Sequence, residues 1–212
     1  MKRRNVLAVG AHFDDVELGL GGTIAKHTEL GDNVFVYVLT ESGYTDISNN
    51  LIRNNIIALQ EGKRAAKILG VRELIIGQYK TLNLQYNDSL ICSLKRALEK
   101  YSIDTLYTHW HDDIHQDHYA VSRASLTAAR HIPNILMYRS NWYKSTMEFN
   151  QNYYVDISDH IKVKIKAIMA HRSEYERVGK KWIEFFTQQN RNDGIKLGVK
   201  YAECFEVVRL IA

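Results

Sequence analysis

The chain has 212 residues, of which 45% are hydrophobic, and a formal net charge of +4 at pH 7. Its basic residues are spread along the chain, which argues against a nucleic-acid partner, and its two cysteines exclude a disulfide framework or a cysteine-based zinc motif. No stretch approaches the ~18 apolar residues of a membrane span. The apolar run behind the basic N-terminus is also too short for a secretion signal. We therefore expect a cytoplasmic protein with one sizeable core.

Short β-rich runs alternate with segments of helical period along the chain. Strands are predicted at 5–11, 33–40, 73–77, 104–109 and 134–139, and helices at 17–31, 52–69, 88–101, 118–130 and 158–185. The polar and aromatic segment 140–157 is expected to form a loop or hairpin over a site. Strands separated by helices predict right-handed βαβ units. The predicted fold is a single α/β domain over 1–212, with a Rossmann-like parallel sheet of order 3-2-1-4-5 and helices on both faces.

The first candidate site is the stretch "GAHFDDVE" directly after the first predicted strand. It contains His12, Asp14, Asp15 and Glu17. His12 and Asp15 lie three residues apart across a strand-to-helix turn and can converge on one ion, since imidazole nitrogen and carboxylate oxygen both suit zinc. Alternatively, one of the aspartates merely caps the following helix.

The second candidate site is "HWHDDIHQDH" at 109–118, with four histidines and three aspartates. The alternative here is a solvated polar loop. In the order 3-2-1-4-5, strands one and four are neighbours, and their carboxyl ends flank the crevice where such sheets bind ligands. Both clusters follow these two strands, so we expect them to form one metal site.

The composition of the two clusters indicates zinc-dependent hydrolysis but does not indicate which kind of bond is cleaved. A catalytic zinc has three protein ligands and an open position. A further carboxylate can take a proton from water, and a further histidine can stabilise an oxyanion or protonate a leaving amine. The glycine-rich tail "ELGLGGT" does not predict a dinucleotide site, because Ile24 stands where the last glycine of that motif is required.

"AHFDDVELGLGGT" followed by "DDIHQDH" resembles the LmbE-like, or PIG-L, family of zinc-dependent N-acetylglucosamine deacetylases. The family motifs are A-H-x-D-D-x-E and H-P-D-H. The resemblance extends over nearly the whole chain, through "AAKILGV", "YVDISDHIKVKIKAIMAHRSE" and "GVKYAECFEV". It implies zinc-dependent removal of the acetyl group from an N-acetylamino sugar or a small sugar conjugate, with release of acetate.

Carried over to this sequence, the resemblance implies that His12, Asp15 and His118 bind zinc. It further implies that Asp14 is the general base and that His115 is the oxyanion or acid partner.

Asp117 is assigned to the catalytic group, where it orients one of the two histidines that flank it. Glu17 is expected to support the first motif from behind. Glu41, at the end of the second strand, matches an acidic position near the family's sugar site, with a solvated strand-end carboxylate as the alternative. Glu203, in the C-terminal signature, is assigned a structural role.

The sequence departs from the family pattern at several positions. Phe13 and Gln116 replace prolines, and Ala58 replaces an arginine that the family uses on substrate hydroxyls. Arg53, five residues earlier, is assigned here as a substrate-binding residue, although it is expected more than a helical turn away. Because of these departures, the sequence does not identify the substrate sugar.

Two other functions stay open from the sequence. One is hydrolysis of a different amide on a nucleotide-linked or antibiotic sugar. The other is zinc binding without turnover, against which the presence of Asp14 and His115 argues. The subunit count is open as well, with a homo-oligomer as one alternative.

Overall fold

The structure is a computed structural model that describes residues 3–211. Its strands are β1 (Asn5–Gly10), β2 (Asn33–Thr40), β3 (Tyr44–Thr45), β4 (Leu51–Arg53), β5 (Glu73–Tyr79), β6 (Thr105–His109), β7 (Asn134–Tyr138), β8 (Tyr153–Asp156) and β9 (Ala202–Arg209). Its helices are α1 (Asp15–Glu29), α2 (Asn55–Leu69), α3 (Asp88–Lys100), α4 (Gln116–Ala128), α5 (Ile161–Met169), α6 (Arg172–Val178) and α7 (Lys181–Leu197).

Seven of the strands form one sheet in the order β5-β2-β1-β6-β7-β9-β8. The first five of these strands are parallel and follow the predicted order 3-2-1-4-5, which is therefore confirmed. β9 and β8 extend the sheet as antiparallel strands at one edge. β3 and β4 form a separate small hairpin.

Helices cover both faces of the sheet, as predicted. In β1, Val6 and Ala8 pack with residues of α1, α2 and α5, whereas Leu7 and Val9 pack with residues of α3 and α4. Side chains alternate between the two faces of a strand, so a strand buried on both faces is apolar throughout. This burial explains why the first strand is a continuous apolar run.

The predicted helix over 158–185 is wrong as a single element, because the chain forms α5, α6 and α7 there. The first break lies at His171, whose backbone has a ψ of 63°. The second lies at Gly179, which ends α6 with a φ of +84° that favours glycine. The segment 140–157 is irregular until it enters β8, and β8 and β9 lie outside the predicted strands.

Two helices begin two residues before their predicted starts, and this difference matters for the site. α1 begins at Asp15, and α4 begins at Gln116. Asp15, Asp117 and His118 therefore lie in first helical turns. α2, in contrast, begins three residues later than predicted because Asn54 caps it with hydrogen bonds from the Ile56 and Ile57 amides.

Candidate active site

β1 and β6 are adjacent parallel strands, so the loops after them meet at one edge of the sheet. The meeting point brings together the side chains of His12, Asp15 and His118. His118 Nε2 lies 3.3 Å from His12 Nδ1 and 3.2 Å from Asp15 Oδ1, and His12 Nδ1 lies 3.4 Å from Asp15 Oδ2. Tetrahedral zinc with bonds of ~2.0–2.1 Å separates its ligand atoms by about 3.3 Å. These three side chains therefore fit a tetrahedral divalent ion.

Two further aspartates hold the two histidines in position. Asp117 Oδ2 lies 2.9 Å from His12 Nε2, and Asp113 Oδ2 lies 3.1 Å from His118 Nδ1. Each carboxylate thus contacts one ring nitrogen of its histidine, and the second ring nitrogen of that histidine lies next to Asp15. This pairing is typical of metal-binding histidines. The Asp117 carboxylate contacts a histidine, but that histidine is His12 rather than one of its two sequence neighbours.

The electrostatics of this cluster favour positive charge. Burial opposes protonation of His12, but its hydrogen bonds to Asp117 and Asp15 outweigh burial and raise the pKa to about 9. Burial is similarly outweighed at His118, where Asp15 and Asp113 raise the pKa to about 10. A site that stabilises protons on its imidazoles in this way is also suited to a divalent cation.

Asp15 is itself fixed by several neighbours and is 3% exposed. Its carboxylate accepts hydrogen bonds from the His12 amide at 2.7 Å and from Ser140 Oγ at 2.9 Å. His109 Nε2 lies 3.3 Å from Asp15 Oδ2, and the His109 ring stacks on His118 at 4.0 Å between centroids. Asp15, His109 and His118 also form a set of close metal-suited atoms. His109 therefore contacts the cluster directly.

Asp14 lies beside the cluster and lines the same cavity, but its hydrogen-bond partner is a different residue. Its backbone has a φ of +127°, a strained value for a residue with a side chain. Its Oδ2 accepts a hydrogen bond from Arg53 Nη1 at 3.1 Å, and within residues 3–211 its side chain caps no helix amide. Burial raises the pKa of Asp14 to about 7, although the positive charge of Arg53 opposes the shift. Within the described residues the carboxylate therefore pairs with Arg53 rather than capping α1.

Arg53 lies in β4 rather than in the predicted helix, and it reaches the site. It is 2% exposed and also donates to the Phe13 carbonyl oxygen at 2.9 Å. Its Nη2 lies 3.4 Å from Glu61 Oε2 and 3.4 Å from His171 Nδ1. These contacts hold the guanidinium rigidly against Asp14.

Glu17 and His171 complete this buried network. His171 Nε2 lies 3.4 Å from Glu17 Oε2, so Glu17 supports the first motif from behind through a histidine on a distant segment. His171 lies at the break between α5 and α6, where its side chain is buried and contacts Glu17 and Arg53.

His115 flanks the cluster on the cavity side. Its Nδ1 accepts a hydrogen bond from the Asp117 amide at 3.2 Å, which leaves Nε2 as the donor of the neutral ring. Burial, together with the nearby His118 and His12, lowers the pKa of His115 to about 4. A neutral imidazole with a free N–H at this position suits a developing negative charge on a substrate oxygen.

A cavity of about 450 Å³ opens over these groups, and its lining includes His12, Asp14, Arg53 and His115. This volume lies in the range of small-molecule sites. Glu41 is exposed, lies outside the lining, and accepts a hydrogen bond from Asn55 Nδ2 at 2.9 Å.

Sequence reasoning missed Asp113, His171 and Asn141. Asp113 stands inside the second histidine-rich motif, so that motif offered a signal for it. Asn141 donates to both Asp113 oxygens at 2.8 and 2.7 Å, but it lies in a segment of weak periodicity. His171 falls inside an apparently continuous helical pattern, which gave no signal for a break.

Within residues 3–211, no helix combines the length and the apolar character that crossing a bilayer requires.

Comparison with known proteins gave consistent matches. A family model described as PIG-L, GlcNAc-PI de-N-acetylase, matches residues 7–129, which include both site loops. A protein of Escherichia coli (strain K12) named "Uncharacterized deacetylase YaiS" is 32% identical over an alignment of 182 residues that covers 81% of this chain and 92% of that protein. The diacetylchitobiose deacetylase of Thermococcus kodakarensis is 29% identical over 222 residues, with 94% and 81% covered. The crystal structure of the conserved protein TT1542 from Thermus thermophilus has a TM-score of 0.83 and 26% identity, with 99% and 96% covered.

Proposed function

Because the chain belongs to the PIG-L family of de-N-acetylases, we propose that it removes the acetyl group from an N-acetylated amino sugar or a small conjugate of one. The products are acetate and the free amine, and the proposed metal is zinc. The observation that carries the proposal is the arrangement of two imidazole nitrogens and one carboxylate, with contacts of 3.2 to 3.4 Å between the three groups, beside a second carboxylate held by Arg53.

His12, Asp15 and His118 would hold the zinc. When bound, zinc supplies Lewis-acid polarisation of the amide carbonyl and makes water a usable nucleophile near neutral pH. The donor set supports zinc because two imidazoles and one carboxylate leave a coordination position open.

Asp14 acts as the general base in this proposal. Its carboxylate takes a proton from the attacking water and can return it to the leaving amine. Arg53 keeps the carboxylate in one orientation and keeps enough of it ionised, despite burial, to act as a base. His115 donates its Nε2 proton in a hydrogen bond to the carbonyl oxygen as negative charge develops there.

The substrate-binding roles of Arg53 and Glu41 have unequal support. Arg53 lines the cavity, and we propose that it acts on the reaction mainly by holding the Asp14 carboxylate. The position of Glu41 outside the lining gives its proposed sugar contact no support beyond the match in sequence.

The test is acetate release from N-acetylglucosamine and its β-1,4-linked disaccharide by the zinc-loaded protein. We expect Asp14→Asn to retain zinc while turnover falls by roughly 10²–10⁴-fold, because a general base contributes about that much. Asp159→Asn, at an exposed aspartate away from the cavity, is the matched control and should keep full activity.

Full activity of Asp14→Asn would show that Asp14 is not the general base. If the zinc-loaded wild type released no acetate from any acetylated sugar or conjugate tested, the result would favour the alternative of a zinc-binding protein without turnover.

A further inference from the structure

Exposed aliphatic side chains cover the hairpin of β3 and β4 and the first turn of α2. Five residues form this aliphatic patch: Ile47, Leu51, Ile52, Ile56 and Ile57. Ile47 is fully exposed, and Leu51 and Ile56 are 64% and 66% exposed. Within residues 3–211, none of the five joins a hydrophobic cluster. A single chain therefore leaves the hydrophobic burial of these side chains unrealised.

The hairpin is inverted relative to an ordinary surface hairpin, which turns its polar side chains to solvent. Its inward side chains are Tyr44 and Arg53, and both line the active-site cavity. The Tyr44 hydroxyl donates to Glu174 Oε1 at 3.4 Å, and Arg53 donates to Asp14. Its outward aliphatic side chains belong to the patch. The hairpin therefore connects the aliphatic patch directly to the candidate active site.

The hairpin has little support of its own. β3 and β4 contain two and three residues and form a sheet separate from the main one. A two-stranded hairpin is at best marginally stable in water unless another element packs on it. A partner that covers the outer face would therefore stabilise the hairpin and fix the position of Arg53.

The patch has the size of the apolar part of a small protein interface. Burial of one aliphatic side chain removes roughly 100 Å² of apolar surface from water. Five side chains that are 40% to 102% exposed thus present on the order of 300 Å². A standard interface buries about 800 Å² per partner, a little over half of it apolar. Polar residues at 48–50, 55 and 60 are exposed and can form the rim of such an interface.

The charges around the patch favour a second copy of this chain as the partner. The charged residues within 45–57 are Asp46 and Arg53, and Arg53 is already paired inside its own chain. Two copies of a nearly uncharged surface meet without like-charge repulsion. Beyond the patch, α2 exposes Lys63 and Arg64. A two-fold arrangement that runs the two patches in opposite directions brings Asp46 of one copy towards this basic end of the other.

We propose that the aliphatic patch is the contact surface of a two-fold homodimer. Each copy covers the hairpin of the other and so holds Tyr44 and Arg53 in place at the cavity. A two-fold contact uses the same surface on both copies, which an aliphatic patch without strong charge allows. This contact goes beyond the proposed function, because it forms whether or not the site turns over a substrate.

Sedimentation equilibrium of the full chain tests the proposal. For the wild type we expect a concentration-dependent mass that approaches twice the 24.5 kDa of one chain. The double variant Leu51→Lys/Ile56→Lys places like charges across the contact and should weaken self-association by at least about 100-fold. Leu30→Lys, at a leucine outside the patch that is also 66% exposed, is the matched control and should associate as the wild type does.

Hydrogen exchange locates the contact in the chain. A higher protein concentration should slow amide exchange within 44–57 in the wild type but not in the double variant. A wild type that dimerises in this way but releases no acetate would keep the contact and reject only the proposed reaction. A monomeric wild type, a double variant with the wild-type mass, or a dimer whose 44–57 amides gain no protection would overturn the contact.

Discussion

Two adjacent aspartates at the turn between β1 and α1 have different charged partners. Asp15 joins His12 and His118, whereas Asp14 joins Arg53. The strained φ of Asp14, +127°, is the backbone feature that separates them. Both carboxylates line the same cavity, so the strained turn presents two neighbouring side chains to one site with different partners.

The residue-scale prediction for the metal concerns the cluster itself. His118→Ala should lose bound zinc, since one of the three proposed ligands is removed. Elemental analysis after dialysis measures this loss. His131→Ala, at an exposed histidine outside the clusters, should keep a full complement of metal.

Asp113→Asn tests the support for His118 separately. Loss of the carboxylate that orients His118 should weaken zinc binding by about 10–100-fold, as is usual for partners of metal-binding histidines. Competition with a chelator measures the affinity. Asp112→Asn changes the neighbouring aspartate, which instead bonds Ser145 and Thr146, and should have little effect. Unchanged affinity in Asp113→Asn would contradict the assigned role.

At the scale of elements, α1 is held in place by the C-terminal strand. The helix is interrupted at Leu20, where φ is −147°. Glu203 of β9 accepts hydrogen bonds from the Gly22 and Thr23 amides at 3.0 and 2.6 Å, so it caps the second half of the helix internally. Lys164 of α5 pairs with the same carboxylate at 2.6 Å. This contact joins the first helix of the site to α5 and β9.

Removal of one partner from this pair should be costly. Lys164 and Glu203 are 1% and 0% exposed, so Lys164→Met leaves a buried carboxylate without its counter-charge. We expect the free energy of unfolding to fall by about 3–5 kcal/mol, measured by urea denaturation. Arg172→Met breaks an exposed pair with Glu176, whose charges water already screens, and should lower the free energy of unfolding far less. A loss at Lys164 as small as this control would contradict the role of the pair.

At the scale of the whole molecule, His27 links the end of α1 to the central sheet and makes stability sensitive to acid. It is 7% exposed, with Nδ1 2.7 Å from Asp32 Oδ2 and Nε2 3.1 Å from the Tyr107 hydroxyl. Burial lowers its pKa, although Asp32 opposes the shift, as does the more distant Asp104, while Arg4 adds to it. The folded state therefore binds fewer protons than the unfolded chain below the ordinary histidine pKa of about 6.5.

Stability should consequently fall as the pH drops below about 6.5, because the unfolded chain then takes up the proton that folded His27 resists. Urea unfolding of zinc-loaded wild type and His27→Gln between pH 7.5 and 5.5 measures this contribution. The variant should lose less stability over this interval. Equal pH dependence in the two proteins would show that His27 does not contribute.

Much of the fold follows from the sequence because local patterns and chain topology act together. The apolar runs of β1 and β6, and the helical segments after them, predicted a parallel sheet in which these strands are neighbours. Parallel strands present their carboxyl ends at one edge, so the two histidine- and aspartate-rich loops had to lie close to each other. Helix starts were less accurate because local capping groups such as Asn54 decide them.

The sequence by itself determined the alternation of strands and helices, the two loops that form the site and the resemblance to one family, because these depend on short-range periodicity and motif spacing. The sheet order follows from the doubly wound arrangement that such an alternation favours. Only the tertiary structure decided that Asp117 holds His12, that Asp113 holds His118, and that Arg53 holds Asp14. It also decided the break in the helix at His171 and the packing of Trp142 against Phe185 of α7. Each of these features depends on side chains far apart in sequence that meet only when the sheet and its helices pack, and no local pattern encodes such contacts.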